Sequence, residues 1–327
     1  MRPPIQETVN PSHRCEELGI DLDSQIAKDQ VLIDESVRTP DFFICGAAKS
    51  GTTSLWNYLV QHPGIYEARD KEPSYFSALH PLYPSARQYG RLYEYAREDQ
   101  LVGDASVAYL TSPDSAFRIC RVVPNAKIII VLRDPTKRAF SLYRHMVWHG
   151  FEHAMSFPEA LQMEDDRVGN PSFIQDNPEY YYNFLYFRSG LYSNQIFRYV
   201  NLFCRNQIKF ISFNYFINNT KNCITDVFDF LGVDSDFSPE IQVHNSGRRR
   251  DVYWPPFHYF LHRKLKPYLK KLGWTGRATF SALMRLNRRF RKQQIDPSRR
   301  QTLLDAYAAD IRETAALVDL PLATHWV

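Results

Sequence analysis

Short apolar runs alternate along this chain with segments whose apolar residues recur every three or four positions. The runs Phe42–Ile44, Ala126–Leu132 and Gln207–Phe213 are rich in β-branched or aromatic residues, which is typical of strands. The middle run is apolar at all but one position, as expected of a parallel strand buried on both faces. Strands that alternate with helices predict an α/β fold of three layers, in which helices flank a central parallel sheet.

Weaker patterns complete the predicted elements. Short strands are expected at Ile65–Arg69 and from Leu101; helices are expected at 51–62, 83–98, from Pro113, from Pro135, from Tyr192, at Thr220–Leu231, 258–272 and 279–292, and from Pro297. Residues 151–182 contain Asn-Pro breaks and are expected to be irregular. We therefore divide the chain into a polar lead (residues 1–39) and a single domain (residues 40–327) that ends in a helical extension.

Composition narrows the class of protein. The 327 residues are 44% hydrophobic, which is typical of a globular chain, and no apolar run approaches the ~18 residues of a membrane span. Residues 1–30 lack the apolar core of a signal peptide. The five cysteines are scattered, and no pair has metal-ligand spacing. We expect a cytoplasmic protein without a metal site.

Charge is unevenly distributed. The net charge is only +4, yet residues 248–300 contain 16 Lys or Arg against two Asp. Such a block indicates nucleic acid, an anionic membrane surface or an anionic substrate, or it is simply a solvated basic helical face. Composition alone leaves these alternatives open.

The strongest local signal follows the first strand. Gly46 and Gly51 have the spacing of P-loop glycines, and a helical pattern begins immediately afterwards. Backbone N–H groups of such a loop and of the helix N-terminus favour an anion. However, Thr52 stands where a P-loop has its lysine, and the lysine of this loop is Lys49. The pattern is therefore P-loop-like, and it favours a phosphate other than the γ-phosphate of a magnesium-bound triphosphate.

The segment Lys49-Ser50-Gly51-Thr52-Thr53-Ser54 resembles the 5′-phosphosulfate loop of the sulfotransferases that use PAPS, 3′-phosphoadenosine 5′-phosphosulfate. The resemblance is to the carbohydrate and heparan-sulfate branch and its soluble bacterial relatives, and it extends from about Asp41 to Trp326. It implies that PAPS is the co-substrate and that a sulfonate group is transferred to an acceptor hydroxyl by in-line attack. The resemblance implies no metal requirement.

A second motif agrees with the first. The strand Ala126–Leu132 ends in Arg133, and a helix that begins at Pro135 carries Ser141. The segment is similar to the family's 3′-phosphate site, so the resemblance assigns Arg133 and Ser141 to that phosphate. The alternative is that Arg133 forms an ion pair with Asp134 or Asp104. The resemblance also assigns Ser246, Gly247 and Arg248 to a loop that closes over the nucleotide; the alternative there is a disordered basic loop.

The resemblance places the general base at Glu72, with Lys49 as the second catalytic residue. A surface glutamate paired with Lys71 or Arg69 is the alternative for Glu72. The family's lysine near the third strand is absent here, because Ala105 occupies its position between Asp104 and Ser106. We expect His145 and His149 to be structural or to lie on the acceptor side.

The acceptor is not fixed by the sequence. The family branch favours a saccharide or glycan, and a small metabolite or a lipid-linked sugar are the other candidates. Residues 248–300 are a candidate lid, acceptor wall or membrane-contacting surface. Two other classes of function stay open: a P-loop-like nucleotide kinase, and a non-catalytic basic protein that binds polyanions or membrane. We expect no nucleic-acid partner, and the oligomeric state is open.

Overall fold

The computed structural model describes residues 15–35, 37–79, 81–177, 181–241, 251–289, 294–318, 320 and 326. Within them, five parallel strands form one sheet in the order β2-β3-β1-β4-β5. The strands are Phe42–Gly46 (β1), Ile65–Tyr66 (β2), Leu101–Asp104 (β3), Lys127–Leu132 (β4) and Ile208–Ser212 (β5). A separate antiparallel pair consists of Asp251–Val252 (β6) and Arg288–Arg289 (β7).

Helices cover both faces of the sheet and form the C-terminal region. They are Leu22–Asp34 (α1), Thr52–Leu59 (α2), Ala86–Gly90 (α3), Ala108–Thr111 (α4), Ser115–Val122 (α5), Pro135–Trp148 (α6), Phe157–Arg167 (α7), Pro171–Asp176 (α8), Tyr192–Leu202 (α9), Phe213–Asn218 (α10), Thr220–Leu231 (α11), Pro255–Phe260 (α12), Lys266–Lys271 (α13), Gly273–Leu286 (α14) and Pro297–Leu317 (α15). A π-helical turn at Leu261–Leu265 joins α12 to α13, and 3₁₀ helices lie at Tyr181–Phe184, Arg188–Gly190 and Arg205–Gln207.

Alternation along the central strands separates two hydrophobic cores. On β1, Phe43 and Cys45 point into one core, whereas Phe42 and Ile44 point into the other. β4 alternates in the same way and is buried throughout after its first residue. A strand buried on both faces needs helices on both sides. The predicted three-layer α/β fold with a central parallel sheet is thus confirmed.

Three element predictions were wrong in detail. The helix expected at 83–98 is only Ala86–Gly90. At Gly90 the chain lies so close to Val37 that an added Cβ would be 2.0 Å from its Cγ1. The segment 151–182 contains α7 and α8, because each begins with a side-chain N-cap followed by proline in the first turn: Ser156 for α7 and Asn170 for α8. The basic helix expected at 279–292 begins earlier, at Gly273, and gives way to β7.

Part of the polar lead is docked on the domain. In α1, Asp29 accepts two hydrogen bonds from Arg118, both 2.8 Å long, and both side chains are fully buried. Arg118 also donates to Asp114 at 3.1 Å. The guanidinium therefore lies between two carboxylates, one from outside the predicted domain. The boundary at residue 40 itself stays a prediction.

The C-terminal helix completes the same layer. Asp310 of α15 accepts hydrogen bonds from the N–H groups of Tyr192 and Ser193, at 2.7 and 3.0 Å, which satisfies the N-terminus of α9. Trp326 is buried beside Tyr192, with 6.0 Å between ring centroids. In the part of the chain described, no helix is both long and apolar enough to span a membrane.

Replacement of Asp29 by alanine should destabilise the protein by about 3 kcal/mol, because it leaves Arg118 buried with only part of its counter-charge. Chemical denaturation monitored by circular dichroism measures this change. Asp34→Ala, on an exposed position of the same helix, is the control and should change the free energy of unfolding by less than ~1 kcal/mol. Equal effects of the two substitutions would contradict the buried ion pair as an anchor of α1.

Candidate active site

A cleft of about 880 Å³ opens at the carboxyl edge of the parallel sheet, where β1 and β4 end. This is where parallel α/β sheets bind ligands. Most of the described residues that line the cleft belong to the loop after β1, to α6 and α10, and to the chain around β6. The lining includes Ala48, Lys49, Gly51, Thr52, Thr53, Ser54, Tyr58, Glu72, Val107, Arg133, Lys137, Phe140, Ser141, Arg144, His145, Trp148, Asn183, Phe213, Phe216, Ile217, Asp251, Val252, Pro255, Gln294 and Ile295.

The loop after β1 has the form of an anion cradle. Lys49 and Gly51 both have positive φ, 67° and 85°, and Gly51 is the N-cap of α2. A Cβ on Gly51 would also approach Phe213 and Phe216 of α10, at 3.1 and 3.2 Å. Only glycine satisfies both the left-handed backbone and this close approach. Ser50 is fully buried, and its hydroxyl has no hydrogen-bond partner among the described residues.

Arg133 connects the two predicted phosphate motifs, the loop after β1 and the end of β4. Its Nη1 donates to the carbonyl oxygen of Lys49 at 2.6 Å, and its guanidinium lies 4.6 Å from the ring centroid of Phe213. Burial lowers the pKa of its guanidinium below the ordinary value. The alternative ion pairs do not form in the described structure. Asp134 instead caps α6 and pairs with Arg300, and Asp104 is bound by hydroxyl groups.

Ser141 lies two turns into α6 and faces the same cleft as Arg133. Pro135 stands in the first turn of this helix, and the carboxylate of Asp134 accepts hydrogen bonds from the N–H groups of Thr136 and Lys137. The residue pair expected to bind one phosphate is thus brought together.

His145 contacts the predicted site more closely than its place in the sequence indicated. It follows Ser141 by one helical turn, and its Nδ1 lies 3.2 Å from Nζ of Lys49. An ammonium group can only donate, so Nδ1 is the acceptor in this contact. The i, i+4 spacing from Ser141 could have indicated that both side chains share one face of α6. The distance to Lys49 could not have been read from the sequence.

Glu72 reaches the cleft from the loop after β2. Its backbone has positive φ, 62°, as has Ser74, 52°. Left-handed backbone costs non-glycine residues about 1–2 kcal/mol each, so neighbouring contacts must hold this loop. The Glu72 side chain is 45% exposed and pairs with Lys71 at 2.7 Å. It therefore lines the cleft and also forms the ion pair of the alternative interpretation.

A buried hydroxyl network supports the Glu72 loop. Asp104, at the end of β3, accepts hydrogen bonds from Ser106, Tyr109 and Tyr89, at 2.6, 2.7 and 2.8 Å. Ser106 in turn accepts a hydrogen bond from the N–H of Ser74 at 3.0 Å. Burial raises the pKa of Asp104 to about 6, although the three hydroxyl groups favour its charged form. Asp104 and Ser106 thus connect the sheet to the loop that carries Glu72.

The rim of the cleft is strongly basic. Arg144 and Lys137 add positive charge to Lys49 and Arg133, and Arg144 binds Asp251 at 2.6 Å across the rim. The three residues expected to close over the nucleotide, Ser246, Gly247 and Arg248, lie outside the described residues. Among the described residues, no group of three or more His, Cys, Asp or Glu is arranged to hold a metal ion.

Comparisons with known proteins identify the family of this chain. The family model for the sulfotransferase domain matches residues 39–246. The crystal structure of a sulfotransferase from Alicyclobacillus acidocaldarius shares 31% sequence identity, covering 88% of this chain and 99% of that chain, with a TM-score of 0.66. The chain therefore belongs to the sulfotransferase domain family, and the resemblance drawn from its motifs is confirmed.

Two curated relatives with sequence similarity to this chain are also sulfotransferases. The membrane-associated sulfotransferase kil1 of Dictyostelium discoideum is 34% identical over 111 residues, 33% of this chain and 23% of the relative. The heparan sulfate glucosamine 3-O-sulfotransferase 3A1 of Mus musculus is 25% identical over 205 residues, 62% of this chain and 48% of the relative. The match spans only 23%, 20% and 23% of the first three curated relatives.

The Asp104 network predicts a specific pH dependence. Because the pKa of Asp104 is about 6 in the folded protein against 3.8 ordinarily, folding favours its protonated form. This contribution is complete below pH ~4 and is lost as the pH rises through 6. The stability of the wild type relative to Asp104→Asn should thus fall by up to about 3 kcal/mol between pH ~4 and ~7. Denaturation series at several pH values measure this; parallel curves for the two proteins would show that Asp104 does not titrate in this range.

Proposed function

We propose that this protein transfers a sulfonate group from PAPS to an acceptor hydroxyl. The observation that carries the proposal is the hydrogen bond from Arg133 to the Lys49 carbonyl. It joins a phosphate loop at the end of β1 to a second cationic site at the end of β4, within one cleft. A donor with phosphate groups at both the 3′ and the 5′ position of its ribose fits two such sites better than a nucleotide with a single phosphate chain.

The residues present fit this donor. Lys49, Ser50, Gly51, Thr52, Thr53 and Ser54 supply backbone N–H groups, hydroxyls and one ammonium at the start of α2, which suits the 5′-phosphosulfate. Of these six residues, all but Ser50 line the cleft, and the Ser50 hydroxyl is buried behind it. Arg133 and Ser141 would hold the 3′-phosphate.

Bound PAPS supplies the sulfonate, which leaves the 5′-phosphate oxygen as the sulfur–oxygen bond breaks. In the proposed reaction the Glu72 carboxylate takes the proton of the acceptor hydroxyl, and that oxygen forms the new bond to sulfur. Lys49 and the loop N–H groups stabilise the negative charge that collects on the departing phosphate oxygen. Arg133 and Ser141 fix the position of the donor, which favours in-line attack.

His145 has a positioning role in this scheme. Its Nδ1 accepts a hydrogen bond from Lys49, which holds the flexible lysine at the cleft wall before the donor enters. The same imidazole is the second candidate for the proton acceptor, because it faces the cleft beside Lys49.

A saccharide hydroxyl is the proposed acceptor. The support is the similarity to relatives such as the mouse heparan sulfate glucosamine 3-O-sulfotransferase 3A1. The wall formed by Phe140 and Trp148 offers aromatic faces to such a ligand. Ala105, which directly follows β3 and is buried, stands where the heparan branch has a lysine. This difference is compatible with acceptors that differ from those of the heparan branch.

Donor binding is tested by calorimetric titration with PAP, the desulfated nucleotide, and with ATP plus magnesium. We expect PAP to bind, ATP with magnesium to bind at least tenfold more weakly, and Arg133→Ala to weaken PAP by about tenfold or more. Arg121→Ala, which removes an exposed arginine outside the cleft, is the matched control and should leave PAP binding unchanged. Preference for ATP with magnesium would favour the kinase alternative instead.

The role of Glu72 is tested with labelled PAPS and a panel of desulfated heparan sulfate, simple saccharides and phenols. Glu72→Gln should lower turnover by about 100-fold or more without weakening PAP, because it removes only the proton acceptor. Glu67→Gln, an exposed neighbour on the same connection, should have little effect. Turnover by Glu72→Gln near that of the wild type would remove Glu72 from this role and make His145→Ala the next variant to measure.

A further inference from the structure

The helices after β6 form a hairpin that is anchored at one end. Near its base, the Asn287 side chain bonds to the backbone carbonyl and N–H of Trp254, at 2.8 and 2.9 Å. Nε2 of His258 lies 3.1 Å from the carbonyl of Trp148 in α6. Leu261 and Met284 are buried there. The base is therefore a packed part of the domain.

The opposite end is exposed. α13 turns into α14 at Leu272 and Gly273, and residues 270–275 are all exposed. The two helices are in backbone contact beside the turn, since a Cβ on Gly276 would lie 1.9 Å from the carbonyl oxygen of Leu269. Residues 268–274, which we call the hairpin tip, are thus held at a fixed position at the end of a packed pair of helices.

The hairpin tip presents large apolar side chains to solvent. Tyr268, Leu272 and Trp274 are 68%, 62% and 75% exposed. Tyr268 and Leu272 are four residues apart, so they share one face at the end of α13. One exposed apolar residue needs no explanation, but three within the seven residues of the hairpin tip indicate a contact surface.

The charge around the tip identifies the kind of surface. Lys270 and Lys271 lie between the apolar side chains, and the Lys271 ammonium is 5.9 Å from the Tyr268 ring centroid. From Val252 to Ile295 the sequence has eleven Lys or Arg and no Asp or Glu. Tryptophan, tyrosine and leucine interspersed with lysine are the composition that seats helices in the headgroup region of an anionic bilayer.

We propose that the hairpin tip docks this protein on the surface of an anionic phospholipid bilayer. Tyr268, Leu272 and Trp274 enter the headgroup region, and the surrounding lysines bind lipid phosphates. Two copies of the tip would repel each other, because both are basic. A nucleic acid would satisfy the lysines but would leave the aliphatic Leu272 without an apolar partner.

Docking in this way has a consequence for the cleft. Val252 and Pro255, which line the cleft, belong to the chain that leads into the hairpin, and Ile295 follows its return. The cleft rim and the tip are thus parts of one anchored unit. If the proposed function holds, docking would keep the cleft close to acceptors carried on the bilayer; the docking itself does not depend on that function.

The test is sedimentation of the full-length protein with vesicles, without any nucleotide. We expect binding to vesicles of phosphatidylcholine mixed with phosphatidylglycerol, at least tenfold stronger than to phosphatidylcholine alone, and weakened by salt. The triple variant Tyr268→Ser, Leu272→Ser, Trp274→Ser and the double variant Lys270→Glu, Lys271→Glu should each lose at least tenfold in vesicle affinity. Trp274 fluorescence should shift to the blue on binding, and Trp274→Phe should abolish that shift.

Matched controls use exposed residues elsewhere. Leu82→Ser with Tyr95→Ser removes two exposed apolar side chains, and Lys221→Glu reverses an exposed charge; both should bind vesicles like the wild type. Retained circular dichroism in the tip variants shows that they fold, and PAP titration tests the proposed function separately. Equal binding to both vesicle types, or vesicle binding unaffected by the triple variant, would overturn the proposal. So would a tip-dependent dimer in sedimentation equilibrium that binds no vesicles.

Discussion

Parallel pairing of β1 with β3 on one side and β4 on the other is the constraint on which the cleft depends. All three strands end at the same edge of the sheet, so the loops after them converge although they are far apart in sequence. The register fixes how they meet, because Phe43 lies opposite both Asp104 and Ile128. β2 pairs in parallel with β3 and brings the Glu72 loop to the same edge. Lys49, Glu72 and Arg133 are therefore positioned by the hydrogen bonds of the strands that precede them.

Contacts between these loops then convert proximity into a defined site. Arg133 donates a hydrogen bond to the Lys49 carbonyl, and Lys49 contacts His145. The Glu72 loop is bound by Ser106, which in turn bonds to Asp104. Each contact joins two different strand ends. Positive charge is thereby concentrated in a partly enclosed space, where it acts more strongly on an anion than it would in open water.

Sequence reasoning found the parts of the site that follow from local pattern. The strand, glycine loop and helix around Lys49 and the strand that ends in Arg133 have signals within a few residues, and their elements agree with the structure. The contact of Lys49 with His145 could not be predicted, because it depends on how α6 is rotated against the loop. Asn170-Pro171 was misinterpreted for another reason: an Asn-Pro pair both breaks one segment and starts the next helix.

The buried pair of Asp29 and Arg118 shows that the stretch matched by the family model is shorter than the part of the chain that packs as one unit. The family match begins at residue 39 and ends at residue 246. A fragment cut at those limits would lack Asp29 and would leave the buried Arg118 guanidinium with one counter-ion fewer. It would also lack Tyr307 and Trp326, which belong to the hydrophobic core. The family model covers all five strands of the parallel sheet, whereas the described contacts that complete the layer beside it come from segments on both sides of that stretch.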